Sequence, residues 1–182
     1  MKIKSLALFC GSKKGNSAVY AQHAHEVGEL LAAQKVGLVY GGGNNGLMGV
    51  AADAAMAGGG RVQGVIPQVL LAWEQQHEGI SELLIVEDMH VRKRKLYELC
   101  DGALILPGGF GTLDELFEIL TWNGLSIHDK KIFILNSGGF YTHLLLHMEL
   151  LEKEGFLYGE LRDKFVVLTE PAGLLPYLQG VL

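Results

Sequence analysis

The residues with the most evident chemistry lie in Leu106–Leu116, read as LPGGFGTLDEL. An apolar run leads into three glycines and a threonine, and then into a helical pattern. Backbone N–H groups at such a strand-to-helix turn can cradle an anion, and glycine admits its close approach. Yet Asp114 and Glu115 follow directly, where a bound phosphate would meet like charge. Upstream, Arg92 stands in a basic run, Arg92–Lys95. A guanidinium there can take a phosphate or a sugar hydroxyl bidentately. A loop for phosphate, a carboxylate for acid–base work and an arginine upstream of both suit cleavage at a sugar carbon.

A structural role for the acids competes with this reading. Thr112 as N-cap with Glu115 three residues on is the pattern T-x-x-E, a capping box. Asp114 would then complement the helix dipole. Arg94 and Lys95 read as a solvated basic face, because four consecutive cations cover a whole turn and at most two face one site.

Two further turns carry glycines, FCGSKKGNS at Phe9–Ser17 and VYGGGNNGLMG at Val39–Gly49. Gly41, Gly43 and Gly46 satisfy G-x-G-x-x-G, but the next apolar run, RVQGVIP, ends without the carboxylate that holds a ribose in dinucleotide-binding folds. The opening stretch has Asp114 where the third glycine belongs, and no G-K-[ST] follows. Classical dinucleotide and P-loop binding are therefore excluded. His143 and His147 have metal-compatible i, i+4 spacing but no evident third ligand, and read as a surface pair. His23 and His25 are assigned to a polar helix face. No G-x-S-x-G elbow is present.

The elements that must position these groups alternate. Apolar runs at Leu6–Cys10, Gly37–Tyr40, Val62–Ile66, Leu83–Val86, Ala103–Leu106, Ile132–Leu135 and Phe165–Leu168 are mostly continuous, as in parallel strands covered on both faces. Helical patterns occupy Ala18–Ala33, Leu47–Ala57, Asp88–Leu99, Leu113–Trp122, Phe140–Glu154 and Pro171–Leu178. The expected fold is α/β, Rossmann-like and doubly wound, with a mainly parallel sheet and helices on both faces. Residues 1–182 read as one domain, without repeats or linkers. Pro67–Ser81 lacks a helical period and is expected to be a long loop or broken helix, an active-site flap.

Composition limits the function classes. The net charge of -5 argues against a surface that coats nucleic acid. No apolar run is long enough to span a membrane, and the first is too short for a signal sequence. Cys10 and Cys100 are unpaired in sequence and read as buried thiols, which suits a reducing cytoplasm.

MHVRK (Met89–Lys93) and PGGFGTLDE (Pro107–Glu115) resemble the signatures M-H-x-R-K and P-G-G-x-G-T-x-x-E of the LOG ("Lonely guy") family, the cytokinin riboside 5′-monophosphate phosphoribohydrolases. FCGS, YGGGNNGLMG and TWNGLSIHDK extend the resemblance over essentially the whole chain. It implies hydrolysis of the N-glycosidic bond of AMP or an N6-modified AMP, giving free base and ribose 5-phosphate. It also implies a homodimer with active sites near the interface, and no metal or organic cofactor. Arg92 and Glu115 fall on the family's catalytic pair. The substrate-binding set comprises Gly11, Ser12, Gly42, Gly43, Glu78, Met89, Lys93, Pro107, Gly108, Gly109, Phe110, Gly111, Thr112, Asp114 and Thr121, with Glu78 and Thr121 the weaker contacts. Trp73, Met89 and the partner subunit would form the base pocket. Asp114 stands where relatives often have Glu, and Phe110 where they often have Tyr. The alternative is a non-catalytic nucleotide or molybdenum-cofactor carrier of similar fold, which has no need of the Arg92–Glu115 pair. An inherited "lysine decarboxylase" label among relatives has no support in these residues, because no lysine is evidently placed as a buried Schiff-base group.

Overall fold

The structure is a computed structural model, and it describes residues 2–71 and 76–181. Seven strands form one sheet: β1 (Ser5–Phe9), β2 (Gly37–Tyr40), β3 (Val62–Pro67), β4 (Glu82–Val86), β5 (Gly102–Ile105), β6 (Lys131–Leu135) and β7 (Val166–Leu168). All pair in parallel, in the order β4-β3-β2-β1-β5-β6-β7. Among the described residues the α-helices are α1 (Ala18–Ala33), α2 (Gly46–Ala57), α3 (Met89–Glu98), α4 (Phe110–Gly124) and α5 (Thr142–Lys153), which lie between strands, and α6 (Leu175–Gln179), which follows β7.

Alternate residues of each central strand feed two separate cores. Leu6, Leu8, Leu38, Tyr40, Leu104 and Phe133 pack beneath α1, α2 and α6. Ala7, Phe9, Val39, Ile105 and Ile134 pack beneath α3, α4 and α5. Burial on both faces is why the strands read as continuous apolar runs rather than as alternating ones. On the first face α1 and α2 cross closely at Gly28, where a Cβ would stand 2.3 Å from the Ala51 carbonyl oxygen.

The strand order reverses between β1 and β5, and the crevice beyond the carboxyl ends of that pair is where ligands bind in open α/β sheets. The loops after β1, β2 and β5 all open there. Leu106 is fixed from below, because the Tyr141 hydroxyl donates to its carbonyl at 2.7 Å.

Several local expectations are corrected. The chain enters α4 at Phe110 with Gly109 as N-cap, so Thr112 is an interior first-turn residue and the T-x-x-E capping box does not form. The turn is completed early because Gly108 leaves room for Thr112: a Cβ on Gly108 would lie 2.1 Å from Thr112 Oγ1. His23 is not on a polar face. It shares a stripe with Val27 and Leu31 and is 3% exposed. The segment expected to be a flap begins inside β3 at Pro67, continues as a 3-10 turn at Gln68–Leu70 and returns at Gln76, which bridges Gly43. Trp73 lies outside the described residues.

Candidate active site

Asp88 opens α3 as its N-cap, accepting a hydrogen bond from Val91 N at 2.8 Å. That bond holds its carboxyl below the ordinary range. The cap fixes the rotation of α3, which places Met89 and Arg92, three residues apart, on one face. Arg92 is 6% exposed. Its Nε donates to Val65 O and its Nη2 to Gly41 O, each at 3.2 Å, and Nη1 lies 3.8 Å from Met89 Sδ. Two backbone carbonyls, one just beyond β2 and one within β3, thus anchor a planar guanidinium, removing the rotamer freedom that an exposed arginine would lose on binding.

This contact reassigns the second glycine turn. A Cβ on Gly41 would stand 2.3 Å from Arg92 Nη2, so the glycine admits a cation of the protein itself. Gly46 has φ +64, and a Cβ there would collide with the Ser12–Lys13 peptide. Gly42 O accepts from His77 N, and Gly43 pairs with Gln76. These glycines lock loops against one another.

The β5–α4 turn behaves differently. A Cβ on Gly109 or Gly111 would meet nothing within 4 Å, so the start of α4 is open. No side chain caps that helix, and its first turn holds no acid. Its N–H groups and the positive end of its dipole suit an anion. The apparent conflict of charge disappears with the corrected helix start. Glu115 is the sixth residue of α4, about 7.5 Å along the axis from Phe110 at 1.5 Å per residue. Phosphate and carboxylate can therefore serve different parts of one ligand.

Arg92 and Glu115 line one cavity of about 260 Å³, together with Gly11, Ser12, Met89, Gly109, Phe110, Gly111, Thr112 and Asp114. Leu8, Phe9, Cys10, Gly41 and Met48 complete its wall. Cys10 and Met48 were absent from the expected set; their positions at the end of β1 and in the first turn of α2 are the signals that point to them. A second cavity, about 360 Å³, shares Gly11, Ser12 and Gly109 with the first and adds Pro107, Gly108, Lys13 and Lys14. Gly42, Gly43, Glu78, Lys93 and Thr121 line neither. Glu78 is exposed beside the buried His77. Thr121 donates to Phe117 O and lines an apolar cavity between α4 and the segment after α5.

Lys93 meets Asp114 at 2.7 Å and Glu118 at 3.4 Å. Burial pulls its ammonium down, but the hydrogen bond to Asp114 and the charges of Glu118 and Asp114 outweigh it and raise it above the ordinary value. This pair fastens α3 to α4, the two helices that carry Arg92 and Glu115. Burial, and then the charge of Glu115, push the Cys10 thiol far above its ordinary value. A thiol so held is not a nucleophile. Cys10 and Cys100 are both buried and free.

A sequence profile of the family described as "Possible lysine decarboxylase" matches residues 48–178, more than half of the chain. A cytokinin riboside 5′-monophosphate phosphoribohydrolase from Rhodococcoides fascians is 42% identical over 178 residues, covering 97% of this chain and 90% of that protein. The chain belongs to the cytokinin riboside 5′-monophosphate phosphoribohydrolase family. An Arabidopsis thaliana protein of that name is 44% identical over 171 residues, covering 94% of this chain and 79% of that one. Among solved structures, a molybdenum-cofactor carrier protein from Chlamydomonas reinhardtii superposes with TM-score 0.74 at 18% identity, over 100% of this chain and 98% of that one. A molybdenum cofactor binding protein from Rippkaea orientalis gives 0.72 at 17%, again over 100% and 98%. At these identities the likeness shows a shared fold, whereas the phosphoribohydrolase relatives share sequence as well.

Proposed function

We propose that this member of the phosphoribohydrolase family hydrolyses the N-glycosidic bond of AMP or an N6-modified AMP, with Arg92 and Glu115 as its catalytic pair. The observation that carries the reading is the convergence of Arg92, Glu115 and the open N-terminus of α4 on one cavity. The nucleotide and one water give free base and ribose 5-phosphate. The 5′-phosphate rests on the N–H groups of the first turn of α4, with Gly11, Ser12, Gly108, Gly109, Gly111 and Thr112 around it. Glu115 stabilises positive charge on the sugar as the C1′–N bond breaks and takes a proton from the attacking water, and that proton passes on to the departing base. Arg92 orients the ribose or assists the departing base. General acid–base groups so placed contribute roughly 10²–10⁴ in rate.

The donor set does not fit an amino-acid decarboxylase dependent on a Schiff base, because the residues lining this cavity include no lysine. Incubation with AMP and with N6-isopentenyladenosine monophosphate tests the proposal: free base and ribose 5-phosphate in equal amounts are expected. Tight binding without product would support the carrier reading instead.

The same reading makes the chain a single domain acting as a homodimer in the cytoplasm. Phe117, Leu125, Phe156 and Tyr158 are exposed around the apolar cavity that Thr121 lines, and a second copy covering them would bring Thr121 to an interface. Light scattering should give twice the chain mass of 19.8 kDa; the chain mass itself would refute the dimer. The two buried reduced thiols support the compartment, which cell fractionation tests. No helix among the described residues is long and apolar enough to cross a membrane.

A further inference from the structure

A second polar centre lies away from the cavity, on the α1 face of the sheet. His23, in the middle of α1, is 3% exposed. Its Nδ1 lies 2.8 Å from Ser137 Oγ, in the turn after β6, and its Nε2 lies 3.0 Å from Glu170 Oε2, just beyond β7. Glu26 stands one turn along α1 on the same side, and one ligand atom from each of His23, Glu26 and Glu170 falls within 4.8 Å of the others. The Ser–His–Glu order imitates a hydrolase triad, but Ser137 is fully buried and no substrate can reach its hydroxyl.

We propose that His23, Glu26 and Glu170 hold a divalent cation, zinc being the best-matched ion. Three features support this assignment. The ring is held in place by burial, and Ser137 Oγ is positioned to accept a hydrogen bond from Nδ1–H. That arrangement leaves the Nε2 lone pair toward the two carboxylates, the orientation seen in histidine ligands with a fixed outer partner. The Glu170 carboxylate meets the imidazole, and that of Glu26, which accepts from Gln22 Nε2 at 2.8 Å, has an oxygen within 4.8 Å of both, so one divalent ion among the three neutralises both acids. The spacing also fits. Zinc–ligand bonds of about 2.0–2.2 Å separate tetrahedral neighbours by about 3.3 Å; His23 and Glu170 stand at 3.0 Å, and Glu26 has only to close in from within 4.8 Å. Glu170 is 69% exposed and can adjust to complete the set, leaving one position for water. The ion ties α1 to the start of the C-terminal helical segment, so its role is to hold the fold. None of the three residues lines the cavity of Arg92 and Glu115.

The test uses the full chain stripped with a chelator and titrated with zinc, with cobalt as a spectroscopic probe. One equivalent of zinc per chain is expected, with a melting temperature raised by several degrees. Cobalt should give the visible bands of a four-coordinate nitrogen–oxygen site. Glu170→Gln and Glu26→Gln are at partly exposed positions that leave the core intact, and each should weaken zinc at least tenfold. Absence of saturable binding in the unmodified chain would overturn the proposal. So would binding that survives both substitutions and disappears in His143→Gln, because the ion would then sit on the exposed His143–His147 pair.

Discussion

The guanidinium of Arg92 rests on the backbone of Gly41, 3.2 Å from its carbonyl oxygen, at a point where a Cβ on Gly41 would stand 2.3 Å from Nη2. The arginine at the centre of the site, on α3, is thus positioned by a glycine fifty-one residues away, just beyond β2. Its second anchor is Val65 O, in β3.

The Gly41 contact leads to a direct prediction. Gly41→Ala pushes the guanidinium out of its place while leaving both cores untouched. A displacement of about 1 Å at a catalytic group can cost on the order of 10² in rate. Steady-state kinetics should show kcat/KM for AMP reduced about a hundredfold, with thermal stability within a few degrees of the parent. Retention of full activity would mean that Arg92 does not act from this anchored position.

The open start of α4 can be probed by adding charge. Gly109→Asp gives the helix an N-cap carboxylate, which stabilises it relative to glycine by a few tenths of a kcal/mol. The same carboxylate occupies the cradle assigned to the 5′-phosphate. Unfolding in urea should show unchanged or slightly higher stability, while KM for AMP rises tenfold or more. A variant that binds AMP normally would place the phosphate elsewhere, in the neighbouring cavity beside Lys13 and Lys14.

The buried thiol of Cys10 gives a prediction about alkaline pH. Burial and the charge of Glu115 raise its folded value far above the ordinary one. Below about pH 8.5 both folded and unfolded states keep the proton, and the thiol adds no pH dependence. Above it the unfolded chain releases the proton and the native state does not. Stability then falls by up to about 1.4 kcal/mol per pH unit from this group alone. The tyrosines Tyr40 and Tyr141, also raised chiefly by burial, add to the loss at higher pH. Urea midpoints from pH 8 to 10.5 should therefore fall more steeply for the parent than for Cys10→Ala. Parallel curves would show that Cys10 ionises in the native state.

Much of this architecture is legible in the sequence. All seven strands appear as short apolar runs; the central ones are covered on both faces, while the edge strands β4 and β7 are only partly buried, and Gly37–Tyr40 and Ala18–Ala33 match at both ends. The pairing of Arg92 with Glu115 follows from the family motifs, and both fall on one cavity. Other features depend on contacts distant in sequence. Thr112 looks like a cap in sequence, whereas α4 starts at Phe110; the room for Thr112 beside Gly108 is visible only in three dimensions. Glycines of the β2–α2 turn read as an anion cradle, although Gly41 makes space for Arg92 and Gly46 for the Ser12–Lys13 peptide. His23 reads as part of a polar helix face because its partners, Ser137 and Glu170, lie more than a hundred residues away.

The central claim is that Glu115 acts on the sugar while its neighbour Asp114 does not. Asp114 is 60% exposed and meets Lys93, an ion pair worth at most about 1 kcal/mol at such exposure. The direct measurement is kcat for AMP hydrolysis in Glu115→Gln beside Asp114→Asn, with folding of both checked by circular dichroism. The account predicts a loss of at least 10² for Glu115→Gln, in the range of a removed acid–base group, and less than about tenfold for Asp114→Asn. Unchanged turnover in Glu115→Gln would contradict it.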